Sequence, residues 1–150
     1  MKTKAIICDL DGTLIDCTHR RHFVEGEKKD WKSFLDPENI KKDTINKWCY
    51  NLLIAISREG YEIIFVTGRN ESTREITIEN MESRNCYYTD DLFMRKDGDY
   101  RPDSVIKKEI YHEHIEPNYD ILFCIDDRKC VTEMWRSLGL ICLQCHEGNF

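Results

Sequence analysis

Five short apolar runs set the frame of this chain: "KAIIC" at 4–8, "YEIIFV" at 61–66, "DLFMR" at 91–95, "DILFCI" at 120–125 and "LICLQ" at 140–144. Each has the length of a buried strand, and helical patterns lie between them. Ile45, Trp48, Cys49, Leu52, Leu53 and Ile56 recur at the spacing of one helical face, which Gly60 closes. Ser72 to Arg84 reads as a helix opened by a Ser72/Glu75 capping box. Pro102 suits the first turn of a helix running to about His114, and Val131, Met134, Trp135 and Leu138 stripe another that ends at Gly139. Strands alternating with helices imply parallel β-α-β units, so the expected class is α/β, a doubly wound parallel sheet covered on both faces.

In such a sheet the site lies beyond the carboxyl ends of the strands, where strand order reverses. The run "AIICDLDGTLID" at 5–16 places two acids there. Residues i and i+2 of an extended segment share a face, so Asp9 and Asp11 converge although like charges raise one another's pKa. Such crowding is tolerable around a cation. The second strand delivers Thr67 and the fourth Asp126 and Asp127, which brings four acids and a hydroxyl to one edge. Oxygen donors of this kind suit a hard cation, Mg2+. A metal alone leaves "TGR" (Thr67, Gly68, Arg69) and the lysine after Pro102 unexplained; these are phosphate-binding groups.

The bulk numbers narrow the classes. A chain of 150 residues with 33 % charged and 41 % hydrophobic residues fits one domain with a sizeable core, spanning 1–150. The net charge of −6 argues against coating nucleic acid by general electrostatics, though a local basic pocket could still hold a nucleic-acid end. Several of the eight cysteines fall in apolar runs and read as free thiols of a reducing, cytoplasmic compartment. The apolar stretch Ala5 to Cys8 is too short for a signal peptide, and no segment reaches the length of a membrane span.

Taken in order, "DLDGT" at 9–13, "VTGR" at 66–69, Lys107 and "IDDR" at 125–128 resemble the four motifs of the haloacid dehalogenase (HAD) superfamily of phosphatases. The resemblance spans nearly the whole chain. It implies a Rossmann-like sheet in strand order 5-4-1-2-3 with at most a small cap, for which the short insertion 12–44 is the candidate. It implies Asp9 as nucleophile and Asp11 as general acid and base. The carboxylates of Asp9 and Asp126 and the backbone carbonyl of Asp11 would hold Mg2+, with Asp127 in support. Thr67 and Lys107 would grip the phosphoryl oxygens, Lys108 being the competing candidate.

"GDYRPDSVIKKEI" at 98–110 and "DDRKCVTEMWRSLGLICLQCHEGNF" at 126–150 are similar to the phosphatase domain of phage-type polynucleotide kinase/phosphatases. That similarity implies removal of 3'-phosphates from DNA or RNA ends, or from nucleotides. Arg20, Arg69 and Asp103 match further residues that family uses around its site, and we add Arg101 and Gly68 to the substrate-binding set. No G-x-x-x-x-G-K-[ST] run occurs, so kinase activity is not expected from this chain, and a separate kinase or ligase is a candidate partner. The alternatives are a 5'-nucleotidase or general small-molecule phosphatase on the same scaffold, and an inactive binding module, which should have lost Asp9, Asp11, Lys107 or Asp126.

Some features have plainer readings. "CLQCH" at 142–146 fits the pattern for haem attachment, but Cys142 lies in an apolar strand and should point inward, so neither haem nor a zinc site with His112 or His114 is expected. His19, Arg20, Arg21 and His22 could form a solvated basic cluster. Trp48 and Trp135 read as core, whereas Trp31 lies outside any stripe and could face substrate.

Overall fold

The computed structural model describes residues 1–86 and 91–148. The chain runs β1 (Thr3–Cys8), β2 (Ile15–Asp16), a 3-10 turn (Thr18–Phe23), α1 (Trp31–Phe34), α2 (Pro37–Ile40) and β3 (Thr44–Ile45). It continues through α3 (Lys47–Arg58), β4 (Glu62–Asn70), α4 (Arg74–Ser83), β5 (Leu92–Arg95), α5 (Asp103–Ile110), β6 (Tyr119–Arg128), α6 (Lys129–Ser137) and β7 (Cys142–Gly148). Five strands form one parallel sheet in the order β5-β4-β1-β6-β7. Numbered by their place in the chain and read from the other edge, that is the expected order 5-4-1-2-3.

Strand alternation sorts β1 between two cores. Ile6 and Cys8 pack with Ile63, Phe65, Cys49 and Leu53 on one face, while Ala5 and Ile7 pack with Ile64, Val66, Val131 and Trp135 on the other. The insertion 12–44 is an antiparallel β2/β3 ribbon carrying short helical turns, with a small apolar cluster of Cys17, Val24 and Phe34. Among the described residues, no helix is long and apolar enough to cross a membrane.

Two local readings need correction. Trp135 is fully buried, but Trp48 is 48 % exposed. The buried line of α3 is centred on Cys49 and Leu53, and at about 100° per residue Trp48 falls on its flank. The Ser72/Glu75 capping box does not form. Ser72 sits in a 3-10 turn with its N–H donating to Asp97 Oδ1, and α4 begins only at Arg74, with Thr73 as an N-cap lacking a side-chain bond.

Candidate active site

The central position of β1 puts Asp9 at the switch point, between the ends of β4 and β6. Its N–H continues the ladder to the Ile125 carbonyl at 3.0 Å, while its carboxylate is held on both oxygens. Thr13 Oγ1 donates to Oδ2 at 3.2 Å, and Lys107 Nζ donates to Oδ1 at 2.9 Å. The same ammonium donates to Asp126 Oδ2 at 2.8 Å. Burial opposes the charge on Lys107, but Asp126 and Asp9 override it and hold the amine protonated, well above its ordinary range. Lys108, the competing candidate, points to solvent. Thr67 is buried, its hydroxyl oxygen accepting from the Arg69 N–H at 3.2 Å.

Asp9, Asp126 and Asp127 offer oxygens that all lie within 4.8 Å of one another. Among the described residues, neither oxygen of the fully buried Asp127 accepts a hydrogen bond; Arg21 Nη2 stands 3.9 Å away. Buried carboxylates without donors are rare, and a hard cation among these three would satisfy them, so the residues fit Mg2+. Gly12 makes room for this cluster. It has φ +82°, and a Cβ there would sit 2.2 Å from Asp127 Oδ2. Asp11 is not part of this group through its side chain, which turns elsewhere.

Crowding leaves a signature that a metal should erase. Burial, and after it the charge of Asp126, push the Asp127 carboxyl from 3.8 up to about 6. An acid raised on folding binds more protons folded than unfolded, so stability falls as pH rises through that window, by about 3 kcal/mol for this group. In EDTA this contribution should lower the Tm between about pH 4 and pH 7, and Mg2+ should raise the Tm more at pH 7 than at pH 4.5. An equal Mg2+ effect at both pH values would count against a metal at these acids.

The Asp11 carboxylate is gripped by two arginines. Arg69 donates from Nε (3.0 Å) and Nη2 (2.6 Å), and Arg20 from Nη2 (2.6 Å). Burial alone would raise Asp11, yet Arg69 and then Arg20 hold it well below the ordinary carboxylate range. Both arginines are buried and are themselves bridged by Asp43, which accepts from Arg20 Nε and Nη2 (both 2.8 Å), Arg69 Nη2 (2.9 Å) and His19 Nε2 (2.8 Å). Arg20 is therefore no solvated loop charge. Sequence reasoning missed Asp43, a single acid in an irregular segment with no local pattern to mark it. Asp43→Ala should cost about 3 kcal/mol of stability by leaving two buried guanidinium groups short of countercharge, read as a fall in the urea midpoint. A variant as stable as the parent would show that the bridge is idle.

On the other side, Asp103 at the start of α5 accepts from Arg128 Nη1 at 2.5 Å and from Arg95 Nη2. Burial favours its neutral form, but Lys107, Arg128 and Arg95 keep the carboxyl below its ordinary range. Gly68 lets this pair approach, since a Cβ there would lie 2.3 Å from Asp103 Oδ1. Arg101 occupies its guanidinium with Asp99 and Glu109. Asp9, Asp11, Thr67, Gly68, Arg69, Arg101 and Asp103 all line one cavity of about 590 Å³, together with Arg95 and Arg128, which sequence reasoning had not selected. Arg20, Lys107, Asp126 and Asp127 stand behind its walls.

The family model for the phosphatase domain of polynucleotide kinase matches residues 3–150. The chain belongs to that family. It is thus a phosphatase of the HAD superfamily, and the sheet edge described above is where the family's motifs meet. Two solved structures of the Pnkp1/Rnl/Hen1 RNA repair complex contain a chain similar to this one: 35 % and 34 % identity, TM-score 0.82 in both, covering 99 % of this chain and 44 % and 48 % of those. A protein of Autographa californica nuclear polyhedrosis virus, provisionally named a bifunctional polynucleotide kinase/RNA ligase, is 28 % identical over 139 residues, 91 % of this chain and 18 % of that protein. The family member described here therefore spans less than half the length of these relatives. The class C acid phosphatase of Bacillus anthracis, crystallised with tungstate, shares the fold at 16 % identity and a TM-score of 0.66, covering 99 % of this chain and 69 % of that one. The terminal Asn149 and Phe150 of the family-like ending lie outside the described residues.

Proposed function

We propose that this phosphatase removes 3'-phosphates from nucleic-acid ends, RNA ends foremost, through an aspartyl-phosphate on Asp9. The observation that carries the reading is the Asp9 carboxylate, fixed by Thr13 and Lys107 at the base of a cavity into which Thr67 also faces. A carboxylate held in one orientation beside a buried ammonium is a positioned nucleophile with charge stabilisation already in place. An Asp9 oxygen attacks phosphorus, the bond from phosphorus to the 3' oxygen breaks, and Asp11 supplies the proton that makes the 3' hydroxyl. Water then attacks the phospho-enzyme, Asp11 takes its proton, and inorganic phosphate leaves as Asp9 is restored. Lys107 and Thr67 hold the phosphoryl oxygens as negative charge gathers on them.

The grip of Arg20 and Arg69 keeps Asp11 ionised, which suits the second half, where it is a base. Protonating the 3' oxygen calls for a looser hold on that carboxyl. Mg2+ would be held by Asp9, Asp126 and Asp127 with the Asp11 carbonyl, and when bound it supplies positive charge to the phosphoryl oxygens. The nucleic-acid substrate is supported by the relatives, whose names tie them to RNA repair and to kinase and ligase activities. By the same support, this phosphatase works beside a kinase or ligase.

The test compares phosphate release from 3'-phosphorylated oligonucleotides, 3'-nucleotides and 5'-nucleotides, with Mg2+ and with EDTA. The 3'-phosphorylated ends should be the best substrates, and only with Mg2+. A strong preference for 5'-nucleotides would overturn the substrate while leaving the Asp9 chemistry in place.

A further inference from the structure

Among the described residues three large aromatic rings are exposed, Trp31, Trp48 and Tyr100, and two of them line the cavity of the active site. Trp31 is 42 % exposed and Tyr100 is 91 % exposed. They come from different segments, the insertion and the β5–α5 loop. Neither ring is needed to close a core: the buried apolar clusters do without both. A ring left in water at the mouth of a catalytic cavity has lost the stabilisation that burial would give it, so an occupant that covers it is the physical reason to look for.

Both segments are built, not slack. The turn that starts α1 is capped by Asp30, whose carboxylate accepts from Ser33 N at 3.0 Å and Ser33 Oγ at 2.6 Å. The Trp31 indole meets the Phe34 ring edge to face, with centroids 5.6 Å apart at 89°. Phe34 in turn lies under the Arg20 guanidinium, 4.2 Å from its carbon, and gives its carbonyl to Arg20 Nη1 at 2.9 Å. The indole is thereby referenced to the same arginine that holds Asp11. Lys29 stands 5.9 Å from the indole centroid, at the outer limit of cation–π attraction, so a flat ring competes well for that face. On the other segment, Arg95 donates to the carbonyls of Asp99 (3.0 Å) and Arg101 (2.5 Å), the residues on either side of Tyr100. Arg101 pins the same turn through Asp99 and Glu109. The backbone is held, and among the described residues the exposed phenol has no hydrogen-bond partner.

We propose that Trp31 is a stacking platform for the nucleobase of the terminal, 3'-phosphorylated nucleoside, and that Tyr100 closes over that base from the loop. This deepens the reading above and rests on it: with the phosphate at Asp9, the nucleoside must extend toward the mouth of the cavity. The rest of the lining agrees with such a ligand. Phe34, Leu35 and Pro102 are apolar, and Lys32 brings positive charge suited to a nucleotide backbone, whereas Arg95 and Arg128 are held by Asp103. Stacking on a π-face is tolerant of base identity, so the pair would select for having a base and not for which base.

The experiment uses two oligonucleotides that differ only at the 3'-phosphorylated end, one with a normal terminal nucleotide and one with an abasic residue there. The parent should favour the base-bearing end. Trp31→Ala should raise KM for that end on the order of 10-fold with kcat held, and Tyr100→Ala by less. Neither should change the abasic end, and Trp31→Phe should recover most of the loss. Equal losses on both ends in Trp31→Ala, with no recovery in Trp31→Phe, would mean that the indole acts only through Phe34 and Arg20 and would overturn the proposal. So would a parent that treats both ends alike, which leaves the 3'-phosphatase reading intact. A parent that releases phosphate from neither end, while hydrolysing other monoesters, overturns that reading and the platform with it.

Discussion

Asp9→Asn should abolish turnover and leave no phospho-enzyme to trap, while folding as the parent does. The amide has the shape of the carboxylate but no anion to attack phosphorus, and Asp126, the other acid on Lys107, does not line the cavity that Asp9 faces. The stability side of the expectation separates chemistry from architecture. Burial first, and then the charge of Asp126, push the Asp9 carboxyl above its ordinary range, so in EDTA near neutral pH the charged residue is a cost to the fold. Removing that charge should therefore leave the metal-free Tm unchanged or higher. Lys107 keeps Asp126 as a partner at 2.8 Å, so the variant does not strand a buried cation. Acid quench after a short exposure to 3'-phosphorylated RNA labelled in the phosphate should give labelled parent protein and unlabelled variant. A variant that keeps most of its turnover would remove Asp9 as nucleophile and, with it, the two-step route.

The parts of this site that were legible in the sequence share a cause. Asp9, Thr67 and Asp126 each follow an apolar run closely, so local pattern alone puts them at strand ends, and the rule for doubly wound sheets puts those ends together. Strand order is a different matter: nothing in the runs ranks the strands across the sheet, and that expectation came from the resemblance to HAD phosphatases. Between Lys107 and Lys108 the runs do not choose; helix phase turns Lys107 inward to Asp9 and Asp126 and Lys108 outward. Asp43 was invisible for a physical reason. Its partners His19, Arg20 and Arg69 lie 24, 23 and 26 residues away, and no periodicity connects an irregular insertion to a strand end at that range. Trp48 and the Ser72 cap failed in the opposite way, as local patterns that packing overrode. The α3 stripe is narrower than its apolar residues suggest, and Asp97 draws the Ser72 N–H away from a capping role.

Lys107→Ala should cut kcat by on the order of 10² to 10³ and should change how the protein responds to Mg2+. The ammonium is buried and donates to two acids at 2.9 and 2.8 Å, so its charge is spent at short range in a dry site and nothing in the parent reorganises to supply it. Transfer gathers negative charge on the phosphoryl oxygens, and a fixed cation there acts more strongly on the transition state than on the substrate, which places the loss in kcat more than in KM. Without Lys107, Asp9, Asp126 and Asp127 face one another with their resident countercharge gone, which should lower the Tm in EDTA at neutral pH. Mg2+ then has more repulsion to relieve, so the rise in Tm on adding it should be larger than in the parent. The two effects have opposite bearings on structure: a merely misfolded variant would lose activity without gaining a larger response to the ion. A variant within a few-fold of the parent in kcat, or one whose Tm is as high as the parent's in EDTA, would show that this lysine is not the countercharge on which the three acids and the phosphoryl group both depend.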